Sequence, residues 1–459
     1  VSVTWICEQI RKNLIKCEAE KSKSKPPYIP LAKAQGLYGN LRAVCGFQAN
    51  QIDYSTLGVI ILRSCDISGE TGAKIMDFSL TDRQRQVREL ARRFTDEEII
   101  PTARENDTKE RFPADIIRKM GAAGLLGGVI LAEYGGSGFD NISDALIFEE
   151  IGRGCSSVRT TLSVQVSLVE QLIYRWGSEE QKKRYLPRLC RGEILGCFAL
   201  TEPGAGSDAA GIITLATQKG KGWVLNGTKT WISNGGVAEL AIVFARTDPA
   251  EGHEGISAFI VEKGTPGFSS MEIKGKLGLR ASNTAGLSFN KCVIPGDALL
   301  GKVGEGFRIA MAALDNGRYG VAAGCVGIMT GCIDACIVYA RERKQFGRPI
   351  ATFQLVQEMI ARMVVDRDAA RLLVFRAGEL KDRGVGSTLE TSIAKYFASE
   401  AAVRVALDAI QIHGAYGYSN AYTVERYLRD AKVATIYEGT SQIQKLIIGE
   451  HVLGVRAFT

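Results

Sequence analysis

Histidine is scarce: His253, His413 and His451 are the only three in 459 residues, and none stands at ligand spacing from another. The eleven cysteines include no C-x-x-C pair. Together these absences argue against a metal centre and a disulfide framework, and for free thiols in a reducing compartment. No apolar run approaches the roughly 18 residues that a membrane-spanning helix needs, which predicts a chain without membrane insertion. A dense basic stripe interleaved with aromatics is also missing. The net charge is +7, but residues 1–75 hold 10 Lys/Arg and 6 Asp/Glu and so carry +4 of it, which disfavours a nucleic-acid partner. What is present is an ordinary globular balance, 46% hydrophobic and 23% charged, in a chain long enough for two or three domains.

Residues 1–75 lack the amphipathic periodicity of the remainder. Lys21-Ser-Lys-Ser-Lys25-Pro-Pro is a turn-breaking basic cluster, and the first methionine of the chain is Met76. The segment is expected to be a disordered upstream extension, with the functional protein starting near Met76; the alternative is a genuine leader, although it contains acids and four cysteines. The first reading implies a bacterial cytoplasmic protein, the second a mitochondrial matrix protein.

Three regions follow. Residues 76–195 read as helical: Thr81-x-x-Gln84 is a capping box, and Val87, Leu90 and Phe94 share one face before Pro101. The helical period returns at Leu146, Ile147 and Ile151, and at Leu162, Val166, Val169 and Ile173. Residues 196–300 change character, with strands predicted at 228–232, 241–245 and 256–261 between Gly-rich turns. From 301 to 459 long helices return: Ser387-x-x-Glu390 reads as a second capping box, its helix stops at Gly414, and Leu355, Met359 and Met363 mark another amphipathic face. The fold class is therefore α+β, an N-terminal helical domain, a middle β-barrel-like domain and a C-terminal helical bundle.

Gly204-Ala-Gly206-Ser-Asp-Ala209 mimics a dinucleotide-binding fingerprint, but that turn works only between a strand and a helix that receives the pyrophosphate. Here a β-hairpin pattern follows, which excludes a Rossmann unit. The loop can still offer backbone N–H groups to a phosphate, or serve simply as a tight turn.

Several segments in order are more specific than any one of them. Phe198-Ala-Leu-Thr-Glu-Pro-Gly-Ala-Gly-Ser-Asp208, Gly227-Thr-Lys-Thr-Trp-Ile-Ser-Asn-Gly235, Leu314-Asp-Asn-Gly-Arg318, Arg341-Glu-Arg-Lys-Gln-Phe-Gly347, Gln411-Ile-His-Gly414 and Ile436-Tyr-Glu-Gly-Thr-Ser-Gln442 closely resemble the acyl-CoA dehydrogenase family across Met76 to Thr459. The resemblance implies FAD as cofactor, an acyl-CoA substrate, an electron-transferring flavoprotein as acceptor and a homotetramer. It implies that Phe198, Leu200, Thr201 and Ser207 line the flavin and its pyrophosphate, with Ser207 also near substrate. Trp231 would pack on the isoalloxazine and Ser233 would bond near its N5. Arg343, Phe346, Gln354, Gln411 and Gly414 would reach a neighbouring subunit's FAD, and Thr440 and Gln442 their own. Asp315 and Arg318 match positions near the CoA channel, and Tyr437 and Gly439 flank the base, Glu438. Ala415 departs from the pattern, where a second glycine is frequent. Taken singly, Trp231 would read as a core aromatic, Arg343 as a solvated helix charge and Glu438 as an acid favoured at a helix start.

Arg159, in Ser-Ser-Val-Arg-Thr-Thr-Leu-Ser163, stands where glutaryl-CoA and benzylsuccinyl-CoA dehydrogenases place an arginine for the substrate's distal carboxylate; Thr160 and Ser163 would help, and the guanidinium fork suits the task. An acidic residue that partners this arginine in some decarboxylating relatives is replaced by Gly152. The competing readings are a short straight-chain (butyryl-type) enzyme with an incidental surface arginine, an acyl-CoA oxidase, and a non-catalytic flavin- or CoA-binding protein.

Overall fold

The computed structural model describes residues 79–457; the expected extension at 1–75 and the start at Met76 lie outside the described residues. The first helices are α1 (Asp82–Phe94), α2 (Ile100–Thr108) and α3 (Ala114–Ala122). Thr81 and Gln84 form the reciprocal capping box, satisfying two N-terminal donors of α1. Pro101 does not end this run. A π turn at Thr95–Ile99 links α1 to α2, and Pro101 falls in the first turn of α2, where its missing N–H costs no helical bond. Next come α4 (Asn141–Gly154), capped by Asp140, then α5 (Ser156–Ser163), α6 (Gln171–Trp176) and α7 (Glu179–Cys190). The helix expected through Leu162 and Ile173 is interrupted by a π turn at Val164–Glu170, all of it buried. That single extra residue shifts which side chains face inward.

The strands are β1 (Gly196–Ala199), β2 (Leu215–Lys219), β3 (Gly222–Ser233), β4 (Leu240–Arg246), β5 (Ile256–Glu262), β6 (Phe268–Glu272), β7 (Thr284–Ile294) and β8 (Leu299–Leu300). They form one sheet in the order β6-β7-β3-β2-β4-β5-β8, with β1 parallel to β4. One core is made almost entirely of strand side chains, among them Trp223, Val243, Phe259 and Leu287, so the sheet curls over its own inner face. The alternate residues Leu240, Ile242 and Phe244 face a second core shared with α6 and α7. Fully burying a side chain such as Phe244 contributes ~2–3 kcal/mol.

The last region holds α8 (Gly306–Glu342), a short pair β9 (Lys344–Gln345) and β10 (Arg348–Pro349), then α9 (Gln354–Asp382), α10 (Thr388–His413), α11 (Val424–Ala434) and α12 (Ser441–Leu453). Two expectations need correction. The length and composition of α8 do suffice to cross a membrane, but most of it is buried inside the fold as a core helix. The Ser387 box does not form: Ser387 makes no cap bond, and Glu390 pairs instead with Arg376 at 3.1 Å. The tertiary cation captures the carboxylate that the cap would have used.

Candidate active site

One face of α8 carries Gly317, Gly320, Gly324, Gly327 and Gly331, a 3-4-3-4 spacing that keeps them in a single row. Without side chains, this row lets neighbouring groups approach the helix backbone. A Cβ at Gly317 would collide with Glu438 Oε2, and one at Gly320 would lie 3.1 Å from Ser163 Oγ. A Cβ at Gly324 would lie 2.6 Å from Arg159 Cδ and Nε. Glu438, Ser163 and Arg159 thus stand along one line, with ~10 Å of helix between the first and last rungs. Gly152 of α4 packs against the same helix, where a Cβ would meet the Gly324 carbonyl at 2.7 Å.

Glu438 sits between α11 and α12 with φ 53°, and Gly439 follows with φ 88°. A non-glycine residue in the left-handed region costs on the order of 1 kcal/mol or more, so the turn needs outside support. The support comes from three side chains. Gln444 Nε2 donates to the carbonyls of Glu438 (3.2 Å) and Gly439 (3.0 Å), Lys395 Nζ donates to Gly439 (2.6 Å), and Arg318 Nε approaches the Glu438 carbonyl at 3.5 Å. The Glu438 side chain is thereby aimed at the glycine row while its Oε2 stays buried without a partner among the described residues. Burial raises the Glu438 carboxyl to about 7, against the opposing pull of Arg159, Lys395 and Arg318. A carboxylate so placed is a proton acceptor at neutral pH.

Arg159 is 1% exposed, not a surface arginine. Its Nη2 donates to the Tyr437 hydroxyl at 2.6 Å, and its Nε and Nη1 are buried without partners. Among the described residues no carboxylate forms an ion pair with it. Burial pushes the Tyr437 phenol up to about 12, so Arg159 faces a neutral partner. Ser163 Oγ is likewise unpartnered, whereas Thr160 already donates to the Ser156 carbonyl at 2.9 Å. Arg318 pairs with Asp315 at 2.7 Å, and Asp315 also accepts from Thr388 at 2.6 Å.

The candidate flavin residues form two separate groups. Leu200 is buried, Phe198 packs against Phe244 with ring centres 4.9 Å apart and planes tilted by 57°, and Thr201 accepts from the Thr230 N–H at 3.0 Å. Ser207 is exposed and Ser233 half-buried. Trp231 lies where the β3–β7 register slips between Lys229 and Ile232; its φ is 58° and its side chain is 61% exposed. A bulge re-aims a side chain, and here it turns an indole outward. At the other end of α8, Arg343 lies over Tyr416 at 5.7 Å and Phe346 is 94% exposed. Gln354, Gln411, Gly414 and Gln442 are exposed, and Thr440 caps α12. No hydrogen bond or ring contact among the described residues ties Arg343 or Phe346 to Trp231.

Three participants were not singled out from the sequence: Lys395, Gln444 and the Glu202–Lys229 pair. Lys229 is fully buried and bonds Glu202 at 2.7 Å and the Leu200 carbonyl at 3.0 Å; Glu202 also accepts from Ile213 and Thr214. Lysines on otherwise inward-facing strand and helix positions were the available signal. A 610 Å³ cleft lined by Lys109, Arg111, Gly236 and Lys274 shares no residue with the Glu438–Arg159 line.

Comparisons with known proteins agree with the succession of helical, β and helical regions. Three family patterns match in succession: "Acyl-CoA dehydrogenase, N-terminal domain" at residues 81–193, the middle domain at 197–292 and the C-terminal domain at 304–453. A short-chain-specific acyl-CoA dehydrogenase of Clostridium acetobutylicum is 45% identical, covering 81% of this chain and 98% of that one. Among solved structures, butyryl-CoA dehydrogenase of Megasphaera elsdenii is 42% identical with a TM-score of 0.81, over 82% of this chain and 100% of that chain. A glutaryl-CoA dehydrogenase–glutaryl-CoA complex is also 42% identical with a TM-score of 0.81, over 83% and 98%. These two structures do not separate the substrate types, but the named sequence relatives include short-chain-specific acyl-CoA dehydrogenases of bacteria and mitochondria at 42–45% identity and not a glutaryl-CoA enzyme, so similarity leans to the short-chain type.

Proposed function

The chain belongs to the acyl-CoA dehydrogenase family, flavin-dependent oxidoreductases acting on CH–CH groups, and from that premise we propose that it desaturates an acyl-CoA thioester whose far end bears a carboxylate. Glu438 is the base and Arg159 receives the carboxylate. The observation that carries this reading is the buried guanidinium with two unpartnered nitrogens and a neutral neighbour. Burying a cation without a counter-ion is costly, so an anionic ligand is the group that completes the site. Glutaryl- and substituted succinyl-CoA fit this description.

FAD is the cofactor, and the residues present fit it. An indole held outward at a positive φ beside the Phe198–Ser207 loop offers a face to a planar ring. When bound, FAD supplies the acceptor for the β-hydrogen. The chain's own residues supply the rest. Glu438 Oε2 takes the α-proton. The Glu438 N–H is placed to polarise the thioester carbonyl, and Gly439 leaves room beside it. Arg318 and Asp315 hold the catalytic turn at the CoA side, Tyr437 orients Arg159, and Ser163 offers a second donor to the far carboxylate. Leu200, Thr201, Ser207, Trp231, Ser233, Thr440 and Gln442 form the proposed flavin surface of one subunit. Arg343, Phe346, Gln354, Gln411 and Gly414 would serve a second subunit, within a homotetramer. Electrons would pass to an electron-transferring flavoprotein, in a bacterial cytoplasm or a mitochondrial matrix.

Anaerobic flavin bleaching on mixing with butyryl-, glutaryl- and benzylsuccinyl-CoA tests the reading. A dicarboxylyl thioester should bleach the enzyme preferentially, and Arg159→Gln should lose on the order of 100-fold with it without a comparable loss with butyryl-CoA. Equal losses would remove Arg159 from recognition. The second reading, a butyryl-type enzyme, is favoured by the short-chain Clostridium relative and predicts preferential bleaching by butyryl-CoA.

A further inference from the structure

Glu438 is surrounded by cations that differ in how they are satisfied. From α5 comes Arg159, from α10 Lys395 and from α8 Arg318. Arg318 is neutralised by Asp315 at 2.7 Å, and Lys395 is bonded to the Gly439 carbonyl with Glu400 near it. Cys325, on α8, is a buried neutral thiol beside Arg159 and Lys395, and Tyr437 is a neutral phenol on the base's own segment. Of these three, Arg159 alone combines full burial, no counter-ion among the described residues and free N–H donors. It is joined to the base through one residue, since Tyr437, whose side-chain hydroxyl accepts from it, directly precedes Glu438 in the chain. The two also share the glycine face of α8, two helical turns apart.

We infer that the two ends of this pocket are electrically coupled: a carboxylate seated on Arg159 neutralises the cation facing Glu438 and makes Glu438 a stronger base. At pH above the raised midpoint, where Glu438 is ionised with either ligand, recognition of the distal end thereby promotes removal of the α-proton at the near end. This rests on the reading of Arg159 as a carboxylate receptor. In the step concerned the α C–H bond breaks, the proton moves to Glu438 Oε2, and the electron pair stays on the thioester enolate. Arg159 is the foremost of the charges holding the base down, ahead of Lys395 and Arg318. At ~10 Å and an effective dielectric near 20–40, removing one unit charge is worth about one pH unit. A straight-chain acyl group leaves the guanidinium uncompensated and the base weaker. Arg159 then acts on rate as well as affinity.

Two thioesters with sulfur at the β-position, methylthioacetyl-CoA and carboxymethylthioacetyl-CoA, test this in the FAD-loaded enzyme. Each retains exchangeable α-hydrogens but has no β-hydrogen to transfer, so α-deuterium exchange in heavy water reports the base without turnover. In the unaltered enzyme the carboxylated analogue should bind more tightly, and its exchange should show a pH midpoint about one unit higher. In Arg159→Gln the two midpoints should coincide, whereas Arg159→Lys should keep part of the difference. Tighter binding of the carboxylated analogue with identical midpoints would overturn the coupling and leave the receptor standing. Equal binding and equal midpoints would overturn the receptor and the coupling together. The comparison between analogues in the unaltered enzyme stays decisive if a variant fails to fold.

Discussion

Lys229 and Arg159 are both long cations with almost no exposure, in the middle β region and the N-terminal helices respectively, and they are treated in opposite ways. Lys229 meets the Glu202 carboxylate and a backbone carbonyl, and Glu202 in turn ties the loop before β2 through two N–H groups. That set is complete within the chain and staples the Leu200–Thr201 segment to β3. Arg159 has one neutral partner and two idle nitrogens. A closed pair maintains structure; an open cation beside an open base marks where a ligand belongs.

The largest effect expected from breaking this contrast is at the base. Glu438→Gln keeps the shape but removes the proton acceptor, so flavin bleaching by any acyl-CoA should slow by about 10³-fold, and a variant as fast as the parent would end the assignment. Next is the contrast itself. Lys229→Met strands Glu202 in the interior and should cost about 3–5 kcal/mol of stability, while Arg159→Met should cost no more than ~1 kcal/mol because no carboxylate is left behind. Chemical denaturation of both variants would show whether the two costs differ; equal costs would mean that Arg159 is structural. The smallest effect concerns pH. The folded Glu438 carboxyl lies at about 7 against an ordinary 4.5, so folding favours its protonated form. Its ionisation therefore erodes stability as pH rises from about 4.5 to about 7. Glu438→Gln should melt a few degrees higher than the parent at pH 8, and the gap should close as pH falls toward 4.5. A gap independent of pH would place the effect elsewhere.

Much of the architecture was legible because its signals are local. The Thr81 box, the stop at Gly414 and the strands around Trp231 and Val243 depend on neighbours within a few residues. The errors have a shared cause. The Ser387 box yielded to Arg376, 14 residues from Glu390 along the chain, and the run through Pro101 survived because a π turn shifted the register before it. Neither can be read from spacing alone. Glu438 was recognisable from its motif, but Lys395 and Gln444, which hold its strained turn, lie on two different helices and carry no motif of their own.

The amino-acid order by itself determined the succession of helices, strands and helices and the membership of the family, and it singled out Glu438 as the proposed base, since periodicity and contiguous motifs act over short stretches. The tertiary structure alone decided that Arg159 is buried with no counter-ion, that it lies two turns of α8 from Glu438, and that Lys229 is neutralised while Arg159 is not. Those are facts about which distant segments exclude water together, and desolvation, not residue type, sets the strength of a buried charge.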